Sequence, residues 1–503
     1  VTTAAGTSPS NGPPTTSARP TPTDALRDAL RDPLPHPPPA DLRAAALDAL
    51  DWALGHYQTL PEQSVGSTAP REVTERLLRE PPPEQPTDFP HVLHEFRSKV
   101  LPYSLRTNHP RFLAFVPSAP AFPAVLGDWL CAASNCFAGL WVEGAAPAQV
   151  ELLVLDWFKD WLGYPPEARG LFTGGGSEAN LTALVVARDR LPFDDRGRAV
   201  LYGSDHRHRS IDRAARVIGL HPDQLRVVPA DGQFRLTPEA LAAAVRADRE
   251  AGRRPWLVAA SAGATNTGTV DPLRPLAEFC RAEGLWLHAD AAYGGPAVLT
   301  AEGRAVLDGI DLADSITLDA HKWLAQPYTA GCLLVRDGRL LPETFATHQD
   351  YLQDTTVADE DHVNFADYGL ALTRRFRALH LWVAFKVLGV GWYRALVERC
   401  MRLADYAEQT LAAGPFEVLR PRQLSTVCFR YFPPGAHHPD AELDRLNLTI
   451  LAELQAGGRA FLSSTRLNGR VAVRMCFINW RTTAADVDEV VRLLTEIGAA
   501  ARG

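Results

Sequence analysis

Gly284-Leu285-Trp286-Leu287-His288-Ala289-Asp290-Ala291-Ala292-Tyr293-Gly294-Gly295 is an apolar run that ends in a carboxylate followed by small residues. A short apolar segment bounded by glycine reads as a buried strand. Asp290 then stands at the strand's carboxyl end, where open α/β sheets collect ligand-binding residues. Similar β-rich runs recur on either side, at 199–202, 225–228, 256–260, 315–318 and 331–335, with helical stretches between them. The alternation predicts an α/β domain over residues 109–390, with a mostly parallel sheet and helices on both faces.

Outside that region the pattern changes. A helical segment at 392–413 precedes strand-like runs at 425–432 and 471–477 and helices at 441–456 and 485–500, which reads as a smaller α+β domain over 391–503. Residues 25–108 carry helical apolar spacing at 42–60 and 92–101, separated by a proline cluster. Such arms bury little apolar surface alone, so they are expected to wrap a partner subunit. Residues 1–24 are small, polar and proline-rich. They have too little to bury to offset the entropy of ordering, and are expected to be disordered. They lack a basic patch before an apolar run, so no signal peptide is expected there.

Of the 503 residues, 46% are hydrophobic and 22% charged, ordinary proportions for a globular protein. The net charge of −8 argues against a general nucleic-acid binder, whose footprint is usually basic. No stretch reads as a membrane span. Seven cysteines, an odd number without a CxxC pair, point to a reducing cytoplasm. Among 51 basic residues the only lysines are Lys99, Lys159, Lys322 and Lys386, so a lysine in a special setting stands out.

Two further motifs join the Asp290 segment. Thr173-Gly174-Gly175-Gly176-Ser177-Glu178-Ala179-Asn180 leads straight into a helical pattern. The glycines let backbone approach a ligand, and the helix start offers unpaired N–H groups and partial positive charge, which together suit a phosphate. It is not a P-loop, since the Gly-Lys-Ser/Thr ending is missing, and the same pattern also makes a plain tight turn. Ser315-Ile316-Thr317-Leu318-Asp319-Ala320-His321-Lys322-Trp323 places Lys322 just beyond another strand. A phosphate cradle, a strand-end Asp and a strand-end Lys form a set suited to pyridoxal phosphate. His206 and His208 have the spacing of two metal ligands, but no third ligand is evident nearby and no metal is expected.

From about residue 42 to 490 the chain resembles the group II pyridoxal-phosphate-dependent amino-acid decarboxylases, which include aromatic-L-amino-acid decarboxylase. The resemblance rests on Asp319-Ala-His-Lys-Trp323, on His288-Ala-Asp-Ala-Ala-Tyr-Gly-Gly295 and on Ser204-Asp-His-Arg-His-Arg-Ser210. Asn108-His-Pro-Arg-Phe112, Phe115-Val-Pro-Ser118 and Arg374-Arg-Phe-Arg377 add to it. It implies fold type I, like aspartate aminotransferase: a large mostly parallel sheet domain, a small C-terminal α+β domain and an N-terminal helical arm. It also implies a homodimer with its active sites at the subunit interface.

The resemblance assigns roles. Lys322 is the amine that captures the coenzyme aldehyde, Asp290 faces the ring nitrogen and His208 covers one ring face. Gly175, Gly176, Ser177 and His321 hold the phosphate, with Ala292 and Thr265 alongside. Tyr351, in Thr347-His-Gln-Asp-Tyr-Leu-Gln353, matches the family's proton-donating loop tyrosine. Relatives with Phe there tend to release aldehydes through O2 chemistry, so Tyr351 favours simple decarboxylation. Phe115, Val116, Pro117, Trp141 and Thr373 occupy segments similar to the side-chain pocket. None is cationic, which favours an aromatic over an acidic substrate such as Glu or Asp. Oxidative decarboxylation–deamination to an aldehyde remains open. Three positions depart from the family: Ala264 stands where Thr is common, residues 144–150 diverge, and His380 replaces a frequent Lys. Thr265 and Thr267 are both candidates to restore the hydroxyl missing at 264.

Overall fold

A computed structural model describes residues 2, 6, 22–116, 119–347, 362–433, 435 and 438–501. The chain divides into two units, one formed by Val1–Gln58 and Pro81–Arg97, the other by Thr59–Glu80 and Ser98–Gly503. The first is helical, with Pro22–Ala29 and Phe89–Glu95 and nearly all of Pro39–Thr59. Within it Trp52 stacks on His56 and meets Phe96 edge-on. Most of the tail expected to be disordered lies outside the described residues.

The second unit carries a seven-stranded sheet: β1 (Arg169–Thr173), β2 (Ala199–Ser204), β3 (Leu225–Val228), β4 (Arg254–Ser261), β5 (Trp286–Asp290), β6 (Ser315–Asp319) and β7 (Gly331–Val335). Their spatial order is β1-β7-β6-β5-β4-β2-β3. The pairs β3–β2, β2–β4, β4–β5 and β5–β6 are parallel, while β7 runs antiparallel to both β6 and β1. Strands covered by helices on both faces are apolar almost throughout rather than alternating. β2, β6 and β7 are buried at every residue, and β4 at all but its first. The sheet is therefore mostly parallel, as the alternating pattern predicts.

A second sheet of four antiparallel strands is ordered β10-β11-β9-β8. These are β8 (Phe416–Val418), β9 (Thr426–Tyr431), β10 (Ser463–Leu467) and β11 (Arg470–Cys476). The long helix that the sequence pattern starts at residue 392 begins earlier, at Ala378, and continues to Ala412. It bends at Gly389, where φ is 75° and ψ 153°, so the glycine there kinks the helix instead of ending it. The parallel arrangement places the carboxyl ends of β2, β4, β5 and β6 along one edge, the expected location of a ligand site.

Candidate active site

The carboxyl ends of the central strands open into a cavity of about 530 Å³, lined among others by Gly175, Gly176, Ser177, His208, Thr265, Asp290, Ala292, His321 and Lys322. All the residues assigned to the coenzyme from sequence are thus brought into one space, from strands far apart in the chain. Its size lies within the usual range for small-molecule sites.

Each element delivers its side chain for a local reason. β5 ends at Asp290, and the backbone N–H of Ala292 turns back to donate to its Oδ1 at 3.2 Å. The other oxygen accepts from Asn180 Nδ2 at 3.0 Å. β6 ends at Asp319, and the short Ala320–Trp323 helix that follows carries His321 and Lys322. Lys322 Nζ donates to Asp319 Oδ2 at 2.9 Å. Burial pushes the Lys322 ammonium down, but Asp319, Asp290 and Tyr328 outweigh it and hold the group above the ordinary lysine range. Burial lowers the pKa of His321, whose Nδ1 accepts from the Ala330 N–H at 3.1 Å.

The glycine run turns from β1 into the Gly176–Asp189 helix. Gly175 has φ 152° and ψ 175°, a backbone conformation that side chains other than glycine rarely adopt. Gly176 and Ser177, the first two residues of that helix, line the cavity, and the N–H groups at such a position have no partner inside the helix itself. His208 caps the Arg209–Val217 helix; its Nδ1 accepts from the Ser210 N–H at 3.2 Å. Since a backbone N–H can only donate, the ring proton of neutral His208 sits on Nε2.

The residues present fit pyridoxal phosphate. An amine, a carboxylate, an imidazole and a helix N-terminus line one cavity and supply partners for an aldehyde, a ring nitrogen, a ring face and a phosphate. At Gly176 a Cβ would come within 2.8 Å of Asp319 Oδ2 and 3.2 Å of Ala292 Cβ, so a side chain there would crowd this cradle.

Residues 70–432 match the family described as the pyridoxal-dependent decarboxylase conserved domain. The chain belongs to the pyridoxal-dependent decarboxylase family. It is 39% identical over 92% of its length, and 95% of the relative's, to an aromatic-L-amino-acid decarboxylase of Bacillus atrophaeus. Its structure superposes on the TDC of Oryza sativa solved with PLP and tryptamine, with a TM-score of 0.88 and 28% identity, covering 93% of this chain and 99% of that one. A Rhodiola rosea 4-hydroxyphenylacetaldehyde synthase gives a TM-score of 0.85 at 28% identity, over 92% and 99%. The protein is accordingly a pyridoxal-phosphate-dependent amino-acid decarboxylase of fold type I, as the motifs imply.

Other assignments from sequence fall outside the cavity. Phe115, Val116, Trp141 and Thr373 are not among the residues lining it. The Phe115 ring is about half exposed and sits near Phe112 and Phe461. Trp141 stacks on His362. Pro117 and Tyr351, with the rest of residues 348–361, lie outside the described residues. Of the two hydroxyls weighed as substitutes at Ala264, Thr265 lines the cavity, while buried Thr267 is hydrogen-bonded to Thr269 Oγ1 at 2.7 Å.

Sequence reasoning left several lining residues without a role: Asn180, Ser210, Ser261, Asp319 and Tyr328. Asn180 and Asp319 stand inside the motifs themselves. Their positions were visible, but their contacts depend on which strands become neighbours.

Proposed function

We propose that the protein removes the α-carboxylate of an aromatic L-amino acid and releases the amine and CO2. The convergence of Lys322, Asp290, His208 and the glycine turn on one cavity carries the reading. When bound, pyridoxal phosphate supplies an aldehyde for an amine to capture and a ring that accepts the electron pair left behind by CO2. The chain's own residues do the rest. Lys322 provides that amine and later takes the place of the product amine. Asp290 keeps a proton on the ring nitrogen, which makes the ring a better electron acceptor. His208 covers one face and excludes water. The helix start with Gly176 and Ser177 holds the phosphate, and His321 flanks it. Tyr351 returns a proton to the carbon that lost CO2, the step that yields amine.

An aromatic side chain is favoured because no arginine is among the described residues that line the cavity. A buried side-chain carboxylate, as of Glu or Asp, would need a cationic partner of its own. The similar aromatic-L-amino-acid decarboxylase supports the same choice. The protein works as a homodimer in the cytoplasm: Tyr328 lines the cavity and is 53% exposed, which leaves that side open to a second copy, and Phe115, Val116, Pro117, Trp141 and Thr373 are assigned to the substrate pocket completed across the interface. All seven cysteines are free, six of them buried, which suits a reducing compartment. Among the described residues no helix is long and apolar enough to cross a membrane.

The experiment is a panel of L-Phe, L-Tyr, L-Trp, L-dihydroxyphenylalanine, L-Glu and L-Asp, assayed for amine, CO2, aldehyde and oxygen uptake. Amine and CO2 from aromatic members in equal amounts is the expected result. Aldehyde with stoichiometric oxygen consumption would replace this reading with the oxidative one, in keeping with the aldehyde synthase among the similar structures.

A further inference from the structure

A chain of hydrogen bonds runs from the buried interior of the sheet to His208 at the cavity lining. The Trp286 indole donates to Ser315 Oγ at 2.9 Å. Ser315 Oγ lies 2.8 Å from His288 Nδ1, and His288 Nε2 lies 2.9 Å from Asn180 Oδ1. From its nitrogen Asn180 reaches Asp290 Oδ2 at 3.0 Å and Ser210 Oγ at 2.8 Å. Ser210 Oγ lies 2.7 Å from His208 Nδ1. Asn180 is 1% exposed, and His288 and Ser315 are wholly buried.

The direction of the protons follows from the Asp290 end. The Asp290 carboxylate can only accept, which demands the amide nitrogen of Asn180 and turns the amide oxygen toward His288 Nε2. An amide oxygen can only accept, so the proton of neutral His288 is on Nε2, and Nδ1 accepts from Ser315. Ser315 Oγ in turn accepts from the Trp286 indole, which can only donate. His288 has to stay neutral for this, and burial pushes its pKa down to about 4. A polar amide among Leu181, Ala183 and Leu184 of an otherwise apolar helix face costs stability unless its bonds are made. Here both of its polar atoms are used.

We propose that Asn180 is a positioning residue of this site: its amide ties the Asp290 carboxylate to His208 through Ser210, so that the group facing the ring nitrogen and the group covering the ring are held as one unit. The inference rests on the roles given to Asp290 and His208 under Proposed function. Asn180 does not itself react; it sets where the two groups that meet the ring stand.

The test uses full-length apoenzyme of the wild type, Asn180→Ala, Ser210→Ala and the double variant. Three quantities are measured: the dissociation constant for pyridoxal phosphate, the induced circular dichroism of the bound coenzyme, and the thermal midpoint of the apoenzyme. Loss of a hydrogen bond to a charged group predicts binding weaker by about tenfold or more in Asn180→Ala. The induced dichroism should change in both single variants, and the double variant should be no worse than Asn180→Ala, because the two residues act in series. Asn180→Ser, which keeps a hydroxyl in a smaller volume, carries the test if the alanine variant does not fold. A lowered thermal midpoint with wild-type affinity and dichroism overturns the inference and leaves Asn180 a packing residue, as does full additivity in the double variant. Failure of the wild type to take up the coenzyme would instead sink the functional reading on which this rests.

Discussion

At Lys322 burial lowers the pKa of the ammonium, yet Asp319 at 2.9 Å and Asp290 raise it above the ordinary lysine range. Lys322→Ala should abolish covalent coenzyme attachment, read as loss of the visible absorbance and of label after borohydride reduction. Tyr351→Phe should leave that absorbance and lower amine yield, with aldehyde or coenzyme loss appearing instead; an unchanged amine yield removes Tyr351 from its assigned role. Buried histidines govern the acid response at this scale. Burial holds His109 and His288 at about 4 against an ordinary value of 6.5. For a base held low in the fold, stability is complete above 6.5 and is lost as pH falls toward 4, because only the unfolded chain takes the proton. Asp271, raised to about 7 by burial, acts in the opposite sense and gains as pH falls. The thermal midpoint should therefore drop from pH 6.5 toward 4. His109→Gln should flatten the drop and Asp271→Asn should steepen it, as calorimetry at stepped pH can show.

Among elements, the helix Trp141–Leu162 is joined to β1 by a wholly buried ion pair. Glu151 pairs with Arg374 at 2.6 Å, accepts from the Phe172 N–H at 2.9 Å, and Arg374 also donates to the Phe172 carbonyl at 2.8 Å. The diverging 144–150 stretch lies in the first half of this helix, which is bent at Gly144 and has Pro147 inside it. Removing one partner of a buried pair leaves a charge uncompensated, which costs about 3–5 kcal/mol. Glu151→Ala should lose stability of that order in denaturant titration. The turn from β1 into the next helix makes a second demand. Gly175 occupies a backbone region that costs other residues about 1–3 kcal/mol. Gly175→Ala should weaken binding of pyridoxal phosphate more than binding of pyridoxal, which has no phosphate; equal losses for the two ligands would detach this turn from the phosphate.

On the scale of the molecule, the small antiparallel sheet holds the loop that carries Ala264 and Thr265. Arg474 of β11 donates to the Thr265 and Asn266 carbonyls, and Arg420 donates to the Thr267 carbonyl at 2.7 Å. The Val270 N–H donates to Gln423 Oε1 at 3.0 Å. The part of the cavity wall that this loop forms is thus braced from the small sheet and the segment before β9. Arg474→Ala takes its donor from the Thr265 carbonyl, worth about 1–3 kcal/mol if it stays buried, and leaves the Asn266 carbonyl with the weaker Cys428 thiol donor. The expected result is faster coenzyme loss on dialysis, with the far-ultraviolet dichroism of the large sheet retained. Dialysis behaviour equal to the wild type would mean that the loop is held without this arginine.

The sequence by itself determined the strands that carry chemistry and the residues at their ends. Apolar runs, glycine turns and strand-end polar groups are local features, and β2 to β7 lie close to the runs read as strands. Asp290 and Lys322 were recognisable for the same reason. β1, β8 and β10 were not: β8 is three residues long, and β10 reads Ser-Ser-Thr-Arg-Leu, which has no apolar run. The antiparallel direction of β7 and the joining of Asn180 to both Asp290 and His208 were decided only by the tertiary structure. Those contacts join residues far apart in the chain. They exist only once the strands have taken their order, and no local periodicity encodes which strand end will face which helix start.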